Sequence, residues 1–329
     1  MVKSMFAGVS GLKAHQQKMD VIGNNIANVN TWGYKAYSFN FQDSIYTTSI
    51  QSSGGTGEEN TYGGKNPSQV GYGSVMGSIS FQYTTGAPSP TDNDLDCMID
   101  GTGLFLVGPK HDQPIPADDN GIRGSGCYLS RVGIFTIDNN GYLVDNAGNY
   151  VYGYPVETDA DGKILYYDEN GNSSTDPTKG TAKILTDGGL TPLRITSDWK
   201  ATAPAGGGEL DRNVLNSHTI DARGIVTGVN DRGETITLGQ LALIAVENPN
   251  GLVKDTGYYF SIGDNCGGVT SHQPGGNVGT IRSKYLEMPN VDLANEFSNM
   301  ITTQRGFQAN SKIITVTDEM LQELVNMKR

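Results

Sequence analysis

The chain of 329 residues is poor in the residue types that most enzymes and nucleic-acid binders need. It has three cysteines, Cys97, Cys127 and Cys266, widely separated and without a C-x-x-C pair, and four isolated histidines at 15, 111, 218 and 272. That spacing offers neither a zinc site nor a redox pair, so the cysteines read as small buried hydrophobes. Basic residues are also scarce: 23 Lys and Arg stand against 35 Asp and Glu, a formal charge of −12. Phosphate backbones and anionic membranes attract clustered cations, so nucleic acid and membrane surfaces are not expected partners. The longest apolar run, "LALIAV" at 241 to 246, is far short of a bilayer span. Nothing after "MVKSMF" resembles the apolar core of a secretory leader, so an exported form is expected to leave without cleavage of one.

What the chain has in abundance is glycine, 44 residues, and short strand-like runs broken by turns. The charge is unevenly spread: residues 1–35 carry +3, residues 291–329 carry −1, and the middle carries −14. The middle reads as solvated surface, and the nearly neutral ends are free to pack against protein.

Both ends carry a helical pattern. Met5, Val9, Leu12, Gln16, Met19, Gly23, Ile26 and Asn30 alternate steps of four and three, flanked by Ile22 and Val29. Leu293, Phe297, Met300, Gln304, Phe307, Ser311, Ile314, Asp318, Leu321 and Val325 repeat the alternation after Pro289 and Asn290, which suit a helix entry. Gly8, Gly11 and Gly23 interrupt the first stripe, each costing about 0.8–1 kcal/mol relative to Ala, so this helix alone should be largely unfolded. Periodicity by itself leaves two readings open: helices of an assembly seam, or core helices of one closed domain.

The stretch 44–74 is rich in Ser, Gly, Thr and Gln and reads as a long connector with some extended structure. Hairpin-like strands follow in "MIDGTGLFLV", "YLSRVGIFTID", "GYLVD" and "YVYGYPV", and later in "IVTGVNDRGETITLGQLALIAV". Turn clusters at 168–180 and 205–212 bracket a small inserted domain.

Catalytic motifs are sparse. Neither G-x-S-x-G nor H-E-x-x-H occurs, and "DGTGLFLVG" at 100–108 opens a strand rather than the helix a phosphate cradle requires. "ETDADGKILYYD" at 157–168 places Glu157, Asp159 and Asp161 at alternate positions before Gly162, like a calcium loop. Its flanks read as strands, and a simple Asp-Gly hairpin turn accounts for it. Asp94, Asp96 and Asp100 are turn and strand-edge residues. No catalytic, cofactor or metal residue is assigned.

"SGLKAHQQKMDVIGNNIANVNTWGYKAYSFNFQDSIY" and "LEMPNVDLANEFSNMITTQRGFQANSKIITVTDEMLQELVNMKR" resemble the two terminal signatures of bacterial flagellar rod and hook proteins. "LDCMIDGTGLFLV" and "YLSRVGIFTIDNNGYLVDNAGNYVYGYPV" are similar to that family's β core, leaving roughly 155–235 uncovered. Within the family, "VIGNNIAN", "YGYPVETDADG" and "LGQLALIAVENPNGL" look most like hook subunits, with the distal rod subunit second because the insert is short. Pro289 replaces a usual Ser, and the acidic loop "PKHDQPIPADDNGIRGSG" has no counterpart.

The resemblance implies a mainly β protein with terminal α-helices paired as a coiled coil. Residues 1–40 and 287–329 would form an inner tube, 41–74 a connector, 75–152 and 236–286 an inner β domain, and 153–235 an inserted outer β domain. It implies a non-enzymatic subunit of the flagellum, a cell-surface appendage, that transmits torque as a helical head-to-tail homopolymer. Its partners would be rod, hook-cap and hook-filament junction proteins and the flagellar export apparatus. The assembly seams would be Met5, Val9, Leu12, Met19, Ile22 and Ile26 with Leu293, Phe297, Met300, Phe307, Ile314, Leu321 and Val325, and Trp32 and Tyr34 would anchor the connector. The competing reading is a calcium-dependent or glycan-handling β module whose ends only oligomerise.

Overall fold

The computed structural model describes residues 2–54, 64–157, 165–167, 173–174, 181–186, 188–195, 215–230, 235–276 and 278–327. The chain is mainly β, with a helix at each end, Val2–Ala27 and Leu293–Met327, packed against one another. It divides into two compact units: residues 1–30, 35–82 and 291–329 form the first, and residues 31–34 and 83–290 form the second.

In the first unit the two helices run antiparallel. Gly8 lies against Asn310 and Ile314, Gly11 against Asn310, His15 against Gly306, and Asn25 bonds to Glu296, so rising numbers on one helix meet falling numbers on the other. Asp292 caps the C-terminal helix, its Oδ1 accepting from the backbone N–H of Ala294 at 2.9 Å and of Asn295 at 3.3 Å. The stretch expected to be a connector contributes two antiparallel ribbons here: β1 (Tyr37–Asp43) with β4 (Ser74–Phe81), and β2 (Tyr46–Ile50) with β3 (Ser68–Gly71). A two-stranded ribbon is marginal alone. The β1–β4 ribbon leans on the N-terminal helix: Phe41 packs at 5.2 Å on the His15 ring and lies 5.3 Å below the Lys18 ammonium.

The second unit is built on an antiparallel sheet whose central strands, Leu104–Gly108, Tyr150–Pro155 and Thr235–Leu241, pair in that order. Leu104–Gly108 is buried along its whole length, as its unbroken apolar sequence requires of a strand covered on both faces. The core gathers Phe105, Val107, Phe135, Leu143, Val151, Leu241, Leu243 and Ile281, with the Phe105 and Phe135 rings edge to face at 5.1 Å. Cys97, Cys127 and Cys266 are free and buried within this unit. Burial pushes the Cys97 and Cys127 thiols up, away from the thiolate that redox or metal chemistry uses.

The unplaced acidic loop is stitched down. Ile122 is fully buried, and Arg123 bonds Asp119 at 2.7 Å and the carbonyls of Gly263 and Gly267, while Asp119 also accepts from Val269 N–H.

Candidate functional site: the terminal helix pair

Two helices can approach closely only where small residues meet. An ideal Cβ at Gly11 would lie 2.8 Å from Asn310 Nδ2, and one at Gly306 would lie 2.7 Å from the His15 ring. Each glycine therefore makes room for a larger residue on the partner helix, which accounts for Gly11 and, more loosely, Gly8 among the helix-weakening glycines, while Gly23 faces open space. The cost of about 1 kcal/mol in helix propensity is offset by contact along the pair.

Asn25 anchors the other end of the pair. It is wholly buried, and its side chain exchanges two hydrogen bonds with the Tyr37 backbone, accepting from N–H at 2.9 Å and donating to C=O at 2.8 Å. The same amide donates to Glu296 Oε1 at 3.2 Å. One asparagine thus ties the N-terminal helix to β1 and to the C-terminal helix. Thr303 and Thr317 are buried on the C-terminal helix and return their hydroxyls to the carbonyls of Asn299 and Ile313, both at 2.6 Å, so neither is left without an acceptor.

The packed line of the N-terminal helix runs through Gly8, Gly11, Ala14, Ile22 and Asn25, and is displaced by about one residue from the expected apolar stripe. Of the expected residues, Ile22 is buried, Met5, Leu12, Met19 and Ile26 lie half-buried at the margin, and Val9 is 51% exposed. The C-terminal helix divides in the same way. Met300, Phe307, Ile314 and Leu321 are half-buried, while Leu293, Phe297 and Val325 are 39, 50 and 67% exposed. Gly8, Gly11, His15, Asn25, Gly306 and Asn310 are the contact residues that an apolar template passes over. The signal for them was the pair of glycines spaced three apart inside a helix.

Trp32 is half-buried and Tyr34 buried, in a short segment that belongs to the second unit, where Gly33 N–H donates to Glu287 O at 2.9 Å. The carboxylates considered for chemistry have structural partners: Asp94 pairs with Lys284 and Asp100 with Arg282, each at 2.7 Å, and Asp96 accepts from Asn93. The "DGTG" turn aims the carbonyls of Gly101 and Gly103 at the Arg131 guanidinium, an arrangement that suits a cation and not a phosphate. In the 157–168 loop, Glu157 sits 3.5 Å from Lys183, and Asp159, Asp161 and Asp168 lie outside the described residues. Among the described residues no three His, Cys, Asp or Glu side chains gather to hold a metal, and no helix is long and apolar enough to cross a membrane.

Comparison with known proteins covers the same two ends. The flagella basal body rod protein family matches residues 5–35, and the C-terminal family of flagellar basal body rod FlgEFG proteins matches residues 282–327. The chain is 36% identical to the flagellar basal-body rod protein FlgG of Bacillus subtilis (strain 168) over 331 positions, covering all of both chains. It is 30% identical to the FlgG of Buchnera aphidicola subsp. Schizaphis graminum, covering 98% of this chain and 99% of that one. It is 29% identical to the flagellar hook protein FlgE of Borreliella burgdorferi, again over the whole of both. Among solved structures, the Helicobacter pylori hook protein FlgE2 overlaps 60% of the chain at a TM-score of 0.37 and 10% identity. With full-length identity above a third to a rod protein and both terminal signatures in place, the chain belongs to the flagellar basal-body rod and hook family of axial structural proteins, which are not enzymes.

Proposed function

We propose that this chain is the distal rod subunit of the bacterial flagellar basal body, polymerising head to tail with further copies and with neighbouring axial proteins. The observation that carries the polymer is the state of the first unit. Val9, Leu293, Phe297 and Val325 are exposed, and Met5, Leu12, Met19, Ile26, Met300, Phe307, Ile314 and Leu321 are only half-covered. A soluble surface seldom carries so many exposed or half-exposed apolar side chains on one helix pair without a partner. Unlike surfaces that meet head to tail without closure give a helical filament.

The choice of rod over hook reverses the order suggested by the short motifs. It is supported by identity, 36% against 29%, and by length: the rod alignment needs 331 positions, while the hook alignment runs to 459. A hook subunit carries a large additional segment that this chain does not need to account for. The hook remains the second reading, favoured by the motifs around Gly153 and Leu241.

On this reading residues 1–40 and 287–329 line the tube, 41–74 connect, and 153–235 form an outward insert in the β domain 75–152 and 236–286. An insert needs its two ends side by side, and Gly153, Tyr154 and Pro155 pair with Leu241, Gln240 and Gly239. On the same reading Trp32 and Tyr34 anchor the connector. Export unfolded, through the flagellar export apparatus, suits a helix pair whose ordering is completed by neighbours.

Immunogold labelling of isolated hook–basal bodies, with antibody raised to the second unit, tests the assignment. Label confined to the rod is the expected result; label along the hook would overturn it in favour of the second reading.

A further inference from the structure

The chain passes into or out of the second unit at three places: through the short segment 31–34, at Tyr83 and at Asn290. All three converge on Glu287, one half of a buried ion pair. Arg131 and Glu287 have side chains 1 and 2% exposed, and Nε of the arginine donates to Oε2 of the glutamate at 2.6 Å. The rest of the guanidinium fork is filled by backbone: Nη1 donates to Gly103 O at 2.5 Å, and Nη2 to Ile99 O at 2.9 Å and Gly101 O at 2.6 Å. Four donor contacts in one plane fix the arginine, and a fixed arginine fixes the carboxylate.

Glu287 spends its remaining acceptors on the passages. Its Oε1 takes Gly86 N–H at 2.7 Å, and its backbone carbonyl takes Gly33 N–H at 2.9 Å. The guanidinium also lies 5.6 Å over the ring of Tyr83. Glu287 itself stands three residues before the last passage ends. Gly33, at φ +65°, is packed so that a Cβ would lie 2.8 Å from Val132 Cγ2, the residue next to Arg131. The first passage is therefore pressed onto the same spot as the second and third.

We propose that the Arg131–Glu287 pair is a latch that fixes the three passages to the β unit, and that holding them, not stabilising the core, is its role. The core cluster of Phe105, Leu143, Leu241 and Ile281 is apolar and complete without a charge. Buried ion pairs are often replaceable by well-packed apolar residues with little loss of stability, and in some proteins their contribution is a defined geometry. Here the geometry is that of three separate stretches of chain meeting at one residue, Gly86 N–H at its carboxylate, Gly33 N–H at its backbone carbonyl, and Glu287 itself on the third. The inference stands whether the chain builds a rod or a hook.

The test is amide hydrogen exchange on the full-length monomer carrying Arg131→Met together with Glu287→Leu. The double variant is expected to keep its cooperative unfolding midpoint, with the amides of 84–88 and 31–34 exchanging at least tenfold faster and those of Leu104–Gly108 unchanged. Arg131→Met alone strands the buried carboxylate, and is expected to be the less stable of the two. Unchanged exchange at 84–88 and 31–34 in the double variant would overturn the latch. So would an equal rise throughout the unit, or a double variant that fails to fold, since either would make the pair a requirement of the core.

Discussion

The two units handle apolar side chains in opposite ways. Among the described residues, every large hydrophobic that is exposed lies in the first unit except Val253, Tyr285 and Met288. Among the described residues of that unit only Ala14, Ile22, Ala36, Phe39 and Phe81 are buried hydrophobics, while the second unit keeps an interior of aromatic and branched residues from Leu95 to Ile281. One unit has satisfied its hydrophobic surface within a single chain; the other has only begun to. A protein that must be a stable domain on one side and an incomplete polymer element on the other is expected to divide its sequence in this way. The low helix propensity at Gly8 and Gly11 belongs to the incomplete half.

The sharpest way to break the contrast is to damage the closed half. Phe105→Ala removes a fully buried ring that meets Phe135 edge to face and should cost about 3–5 kcal/mol. Calorimetry on the monomer should show the main transition fall while the helix signal of the terminal segments changes little. A shift of both together would mean that the units do not unfold separately.

Next in size is the effect of polar substitution in the open half. Val9→Ser with Phe297→Ser removes two exposed side chains and should leave the monomer within about 0.5 kcal/mol of the parent. If the polymer buries both, at about 1.5 kcal/mol or more each, the critical concentration for salt-induced assembly rises on the order of 100-fold. Sedimentation of polymer against total protein reads this directly. Equal assembly by the variant would show that these positions stay at a polymer surface.

Gly306→Val probes the contact between the helices. The added methyls meet the His15 ring, and overpacking of this kind costs about 1–3 kcal/mol. Circular dichroism should report lost helix with the β signal intact. Wild-type helicity would mean that His15 turns aside at no cost.

Much of this organisation was legible in the sequence, and its limit has a physical cause. Fold class, the two terminal helices and the β hairpins between them follow from periodicity and turns. An apolar template scores Val9 and Phe297 and passes over Gly11 and Gly306, where the helices pack closely, and Asn25, whose contacts are hydrogen bonds. The apolar stripe runs from Ile22, which the chain buries, through half-buried margins to Val9 and Phe297, which a single chain leaves exposed. The buried ion pair was also out of reach, since Arg131 and Glu287 are 156 residues apart and only the folded chain brings them together.

The smallest effect expected is also specific to the open half. His15 Nδ1 is shielded from solvent without a hydrogen-bond partner, and burial together with the nearby Lys18 charge holds the imidazole below its ordinary value of 6.5. Because the folded pKa lies below the unfolded one, the unfolded state binds the proton more readily. The neutral ring's contribution is complete above pH 6.5 and is lost progressively as pH falls below it. Lowering the pH from 7.5 to 5 should therefore depress the helix midpoint more in the parent than in His15→Gln, while the transition of the second unit keeps the same pH dependence in both proteins. If the two proteins lost helix in parallel, His15 would not be the group responsible.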